Sequence, residues 1–225
     1  ILAGPVTYYR LYDGVVEETK SGITRYCADT RLEIDVSYQG QIHMILGTSD
    51  YLWEDFIRRQ YENIIPMLDQ RGESFSTPSE ALDSALAKRL ALAGDGAERR
   101  KILNEFKDTE NFRIDLDHIL QREQDFFFLS NKLTSLAETI VRGALQIAFE
   151  ESVARYGTPR TVAGLPAPYA VLGLGKLGGR ALGYASDLEL MFIYGDNGST
   201  DGPESISNAE FFERFFNLHT NFMLF

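Results

Sequence analysis

Asp187 and Glu189 stand two positions apart with Leu188 between them, and the apolar run Leu190 to Tyr194 follows them directly. That run is short and rich in aliphatic and aromatic side chains, so it reads as a buried strand with the acids at its entrance. Side chains on a strand alternate between faces, which sends both carboxylates to one side and Leu188 and Leu190 to the other. Two like charges that close repel unless a cation lies between them. Paired hard oxygen ligands with open coordination positions suit Mg²⁺ carrying nucleotide phosphates. Just upstream lie Gly173, Gly175, Gly178 and Gly179, interleaved with Lys176 and Arg180. Gly178 and Gly179 would let backbone N–H groups approach a phosphate, Lys176 and Arg180 supply positive charge, and Ser186 adds a hydroxyl beside the first acid. The chemistry these residue types describe is the handling of a metal-bound phosphate, with Asp187 and Glu189 as catalytic residues and metal ligands.

Two strands and a scaffold must position those groups. Tyr169 to Leu174 is a second short apolar run, bounded by Pro168 and the glycine turn, and predicts the partner strand. Ahead of it, Gly157 to Pro168 holds three prolines and is the clearest break in the chain. We therefore divide the chain into an unassigned segment 1–48, a helical region 49–157 and a core 158–225. Leu52, Phe56, Ile57, Tyr61, Ile64, Ile65 and Leu68 recur at helical spacing and predict a helix over 51–69, and the alternation in 30–37 hints at a strand. Thr77-Pro78-Ser79-Glu80 has the make-up of a capped helix start, and Gly94 to Gly96 end that helix. Further helical patterning covers 98–106, 112–120 and a long run from about Asp125 to Tyr156, where Leu129, Leu133, Leu136, Ile140, Ala144 and Ile147 form one stripe. The Phe126-Phe127-Phe128 triplet reads as helix-on-helix core, with a nucleotide pocket as the competing reading. Residues 195–203 are turn-forming throughout, either a mobile loop over the site or a plain solvated connection. Ser207 to Glu210 is a capping box, with Ile206 and Phe211 placed as a hydrophobic staple.

The chain has 225 residues and a formal charge of −11. Such a balance argues against nonspecific attraction to nucleic acid or an anionic membrane, because counterion release needs basic patches. A single cysteine, Cys27, excludes an internal disulfide and fits a reducing cytosol. No run approaches the roughly 18 apolar residues of a membrane span. A start at Ile1 reads as that of a piece cut from a longer polypeptide.

The block G-K-L-G-G-R-A-L-G-Y-A-S-D-L-E-L-M-F-I-Y (175–194) resembles the corresponding block of the glutamine synthetase adenylyltransferases, bifunctional enzymes of the DNA polymerase β-like nucleotidyltransferase superfamily. The pattern there is a Gly-Gly turn, a spacer, then Asp-x-Asp or Asp-x-Glu on a strand, matched by Gly178-Gly179 and Asp187-Leu188-Glu189. Segments 49–68, 112–120, 129–145 and 198–215 are similar to the same family, so the resemblance covers about 45–216. It implies an α+β fold: a helical N-terminal region followed by a partial nucleotidyltransferase core with a small mixed sheet. It implies Mg²⁺, ATP or ADP and phosphate as substrates, a tyrosine of glutamine synthetase as the modified group, and a cytoplasmic enzyme in control of nitrogen assimilation. A PII signalling protein is a further partner the family implies. The segment GSTDGPESISNAEFF is more similar to the AMP-removing half of these enzymes. Two departures stand out: the second acid is Glu where many members have Asp, and nothing after Glu189 matches the third carboxylate. Asp29-Thr30-Arg31-Leu32 echoes that third segment, on the wrong side of the core.

Two other readings compete. A catalytically inert nucleotide-binding regulatory module of the same fold would need no third acid. A dinucleotide-binding crossover would use Gly173-x-Gly175-x-x-Gly178, with Asp196 as the ribose acid, and would require a parallel strand pair.

Overall fold

A computed structural model describes residues 17–19, 22–25, 74–120, 125–183 and 186–220. The expected helix over 51–69, the strand suggested in 30–37, and Cys27 and Asp29 lie outside these residues. The chain divides into two compact units, one formed by Ile1–Ser76 with Asp115–Glu123, the other by Thr77–Ile114 with Gln124–Phe225.

In the first unit, β1 (Glu17–Thr19) and β2 (Gly22–Arg25) pair antiparallel across a two-residue connection, an element that the sequence pattern does not announce. Asp117 is buried here and accepts hydrogen bonds from Ser74 Oγ (2.6 Å), Phe75 N (2.6 Å), Ser76 N (3.1 Å) and Ser76 Oγ (2.6 Å). A buried carboxylate is tolerable only when its lone pairs are met in this way.

The second unit is a helical stack carrying one hairpin. A 3₁₀ turn (Ser79–Ala81) leads into α1 (Leu82–Leu90), followed by α2 (Gly96–Leu120), which belongs to this unit as far as Ile114, and α3 (Phe126–Tyr156). The capping box expected at Thr77 does not form. Both its donors go instead to buried Glu110, Thr77 N at 2.9 Å and Thr77 Oγ1 at 3.0 Å, so a tertiary partner has displaced the local cap. The two expected helices 98–106 and 112–120 are one. The polar stretch between them stays helical because Glu110 is met by Thr77 and Arg113, and Lys107 lies beside Asp108. Asp125 caps α3, accepting from Phe128 N at 3.0 Å. The predicted stripe Leu129, Leu133, Leu136, Ile140, Ala144 and Ile147 is buried throughout and meets Leu82, Leu86, Leu103 and Phe106. Each of the leucine, isoleucine and phenylalanine side chains contributes roughly 1.5–3 kcal/mol on leaving water, and Ala144 less.

The core strands fall where the pattern puts them, β3 (Tyr169–Gly173) and β4 (Leu190–Tyr194), but they are not the buried strands expected: Leu172, Met191 and Ile193 are nearly half exposed, because the helices cover one face of a two-stranded hairpin. They pair antiparallel, Tyr169 opposite Tyr194 and Gly173 opposite Leu190. The fold class is therefore α+β, and the described core sheet is this two-stranded hairpin. Antiparallel pairing removes the dinucleotide crossover, which needs parallel strands joined by a returning helix. Asp196, its supposed ribose acid, accepts from Val162 N at 3.0 Å and Asn197 N at 2.7 Å.

α5 (Asn208–Thr220) closes the unit. Ser207 Oγ accepts from Glu210 N at 3.2 Å, which is half of the predicted capping box; the Glu210 carboxylate turns instead to Arg214 at 2.7 Å. Phe211, Phe212 and Phe215 are fully buried. They meet the hairpin through rings: Tyr194 stacks on Phe212 at 4.9 Å, Phe192 lies 4.3 Å from Phe216, and Tyr169 stacks on Phe149 of α3 at 5.3 Å. Among the described residues no helix is long and apolar enough to cross a membrane.

Candidate functional site

The alternation argued from sequence holds along the strand entrance. Leu188 and Leu190 pack against the helical core, whereas Asp187 and Glu189 are exposed, on the face that also leaves Met191 and Ile193 half open. Neither carboxylate is ion-paired among the described residues, and no third His, Cys, Asp or Glu joins them there to complete a metal cluster. Two exposed hard oxygen donors two positions apart in the chain, without a cationic partner among the described residues, are the residue types a divalent ion takes.

The glycine turn folds back over the end of β3. Leu174 N donates to Glu189 O at 2.8 Å, which extends the ladder by one step and sets the turn beside the acids. α4 (Gly175–Gly178) follows at once. Gly175 has φ of 51°, a left-handed angle that favours glycine, and its missing Cβ leaves the room that the Glu189 carboxylate occupies. At Gly178 a Cβ would lie 2.5 Å from Gly173 O, so this glycine lets backbone pass backbone. The N–H groups of Gly178 and Gly179 donate to Leu174 O and Gly175 O, both at 3.0 Å. Those two amides are thus committed to the turn itself, while the three that open α4 find no acceptor among the described residues.

Arg180 ends the turn with φ of 51°, a left-handed position usually given to glycine. Arg180 N bonds to Leu177 O at 3.1 Å and Ala181 N to Lys176 O at 2.8 Å, the paired bonds that close a helix of this kind. Its guanidinium lies along α3, on Glu138 Oε1 (2.8 Å), Ser135 Oγ (3.1 Å) and Asn131 Oδ1 (3.3 Å). Sequence reasoning offered Arg180 as phosphate charge; here it straps the turn to the scaffold. Lys176 is exposed and has no ion pair among the described residues. Ser186 is buried, and its Oγ accepts from Gly183 N at 3.0 Å, tightening the approach to Asp187.

The connection 195–203 stands at the opposite end of the hairpin. Asp201 accepts from Thr158 N (2.7 Å) and Arg160 Nε (2.8 Å), and buried Asn208 donates to Arg160 O (2.9 Å) and Asp196 O (3.0 Å). Five strand residues, about 17 Å at the usual rise, separate it from the acids. It is a pinned connection and no cover for the site.

The Phe triplet is the sharper correction. Phe126 and Phe127 are 55% and 75% exposed, and Phe128 is 37% exposed with Lys132 over its ring at 5.5 Å. At 31 residues, or about 46 Å, α3 is far longer than the hairpin it supports, so its first turn is not core.

An α+β unit with an acid pair beside a glycine turn is thus the class the geometry defines. A model of the glutamate-ammonia ligase adenylyltransferase family matches residues 39–222, and the chain belongs to that family. It is similar to the "bifunctional glutamine synthetase adenylyltransferase/adenylyl-removing enzyme" of Aromatoleum aromaticum, 34% identical over 71% of this chain and 17% of the relative. The protein of the same description from Shewanella oneidensis is 29% identical over 85% of this chain and 20% of its own length. That from Mannheimia haemolytica is 31% identical over 71% of this chain and 17% of its own length. The chain therefore spans about a fifth of the length of the curated relatives it matches.

Proposed function

We propose that this chain carries a Mg²⁺-dependent nucleotidyl-transfer site acting on glutamine synthetase, by adenylyl transfer from ATP to a tyrosine or by phosphorolytic removal of AMP from it. The observation that supports it is the acid pair: Asp187 and Glu189 exposed in the approach to β4, without cationic partners among the described residues, against a glycine turn. Asp187 and Glu189 would hold the ion, whose chemistry when bound is to neutralise charge on the transferring phosphate. The turn would receive phosphate through its lack of side chains at Gly178 and Gly179, through the opening amides of α4 and through Lys176. Arg180 and Ser186 position that turn and the approach to Asp187. In the removing direction an oxygen of inorganic phosphate attacks the α-phosphorus of adenylyl-tyrosine. The bond to the tyrosine oxygen breaks, and that oxygen regains a proton, leaving ADP and free tyrosine. Positioning of the reactants supplies much of the rate.

The segment 198–212 favours removal over attachment. A cytoplasmic site of action fits the single cysteine, and regulation by a PII protein rests on family resemblance alone. A second reading has one observation behind it: with no third acid beside the pair among the described residues, the site would bind nucleotide without turnover. The test supplies the full chain with adenylylated glutamine synthetase, phosphate and Mg²⁺ and measures ADP, with ATP and unmodified enzyme in a parallel run. We expect ADP in the first and none from the Asp187→Asn variant. Turnover unaffected by that substitution would remove the acid pair from the mechanism; Mg²⁺-dependent ADP binding with no product in either run would select the inert module.

A further inference from the structure

We infer that the Phe126 ring is the platform on which the base of the bound nucleotide stacks. The inference rests on the nucleotidyl-transfer reading above and adds to it a residue outside the hairpin and its turn. Three observations carry it. The connection from α4 to β4 climbs α3 toward its N-terminus: Arg180 sits at Glu138, Ser135 and Asn131, and Gly183 reaches Phe126. The Phe126 ring edge and Ser186 Oγ lie 3.8 Å and 3.9 Å from the same point, where a Cβ on Gly183 would stand, and Asp187 follows Ser186 directly. The ring is also 55% exposed, on a helix turn whose neighbour Phe127 is more exposed still, so its face is open to a ligand.

Phe126 and Phe127 stand next to each other in water, and a contiguous exposed apolar patch, unlike a single scattered residue, marks a place where something binds. The chemistry within reach selects the partner. Phosphate and metal groups at the glycine turn and the acids leave a nucleotide's base to be accommodated nearby, and every base offers a π-face to an aromatic side chain. The nearest neighbours of a Cβ at Gly183 would be the ring edge and Ser186 Oγ, at ordinary contact distance, which sets the ring beside the approach to Asp187.

The test is binding. The full chain is titrated with Mg²⁺–ADP and, separately, with Mg²⁺–pyrophosphate, which has the phosphates without the base. Phe126→Ala should weaken ADP by about tenfold, in line with the usual worth of one base–aromatic stack, and leave pyrophosphate unchanged. Phe126→Trp should restore ADP affinity, which no purely structural role for the ring would produce. Unaltered ADP affinity in Phe126→Ala, with wild-type binding intact, would overturn the platform and spare the nucleotide reading. Equal loss of both ligands would assign the ring to shaping the loop and would also overturn it. Failure of the wild-type chain to bind either ligand would bring down the nucleotide reading and the platform together.

Discussion

The two ends of the β3–β4 hairpin are built on opposite principles. At the Tyr169 and Tyr194 end, aromatic rings stack on α3 and α5 and the adjoining connection is tied down by Asp201 and Asn208. At the Gly173 and Leu190 end, the backbone turns through glycines, two acids face solvent, and the turn is held from below by Leu177 and Leu182 in the helical core and from the side by Arg180 on α3. One end spends its residues on burial, the other on leaving groups open. Rigidity is supplied from a distance, which lets a small hairpin hold exposed carboxylates in register without surrounding them.

The comparison can be broken at either end. The largest expected effect is at the closed end: Phe215→Ala removes a fully buried ring from a stack of aromatics and should cost about 3–5 kcal/mol in denaturant unfolding. A loss under about 1 kcal/mol would mean the aromatic cluster does not support the hairpin. Next comes Gly178→Val, whose side chain would press on Gly173 O; overpacking of this kind costs about 1–3 kcal/mol and should also weaken nucleotide binding by moving the turn. Full stability with normal binding would show that the turn yields freely.

A smaller effect concerns pH. The hydrogen bond from Arg160, then that from Thr158 N, holds the Asp201 carboxyl below its ordinary range. A carboxylate with a lowered folded pKa adds stability that is full above its unfolded value and fades as pH falls through the folded one. The closed end should therefore loosen in acid, below the usual aspartate range, as read by amide exchange at 157–161. Asp201→Asn should flatten that dependence, and an unchanged acid response would contradict the tether.

Much of this arrangement was legible in the sequence, where local rules and tertiary structure agree. The period of α3 gave its buried stripe, and alternation gave opposite faces to Asp187 and Leu188. Other features depend on partners far away in the chain. Thr77 was a plausible cap until Glu110 took its donors, and Arg180 offered charge to a ligand until α3 supplied Glu138. Gly178 and Gly179 signalled an open backbone, but whether their amides were spent or spare depended on Leu174 and Gly175. The Phe triplet misled because apolar side chains imply burial only where another element covers them, and α3 outruns the hairpin. The β1–β2 pair lacks the alternation that announces a strand, and Ser21-Gly22 alone is too common a turn signal to mark it.

The central claim is that Asp187 and Glu189 together hold a divalent ion at the open end. It is tested most directly by titrating the full chain with Mn²⁺ in the presence of ADP and reading bound metal by electron paramagnetic resonance. The wild-type chain should show a saturable site that Asp187→Asn with Glu189→Gln abolishes, while thermal unfolding moves by no more than about 0.5 kcal/mol, as suits exposed side chains. Saturable Mn²⁺ binding that survives the double substitution would contradict the account.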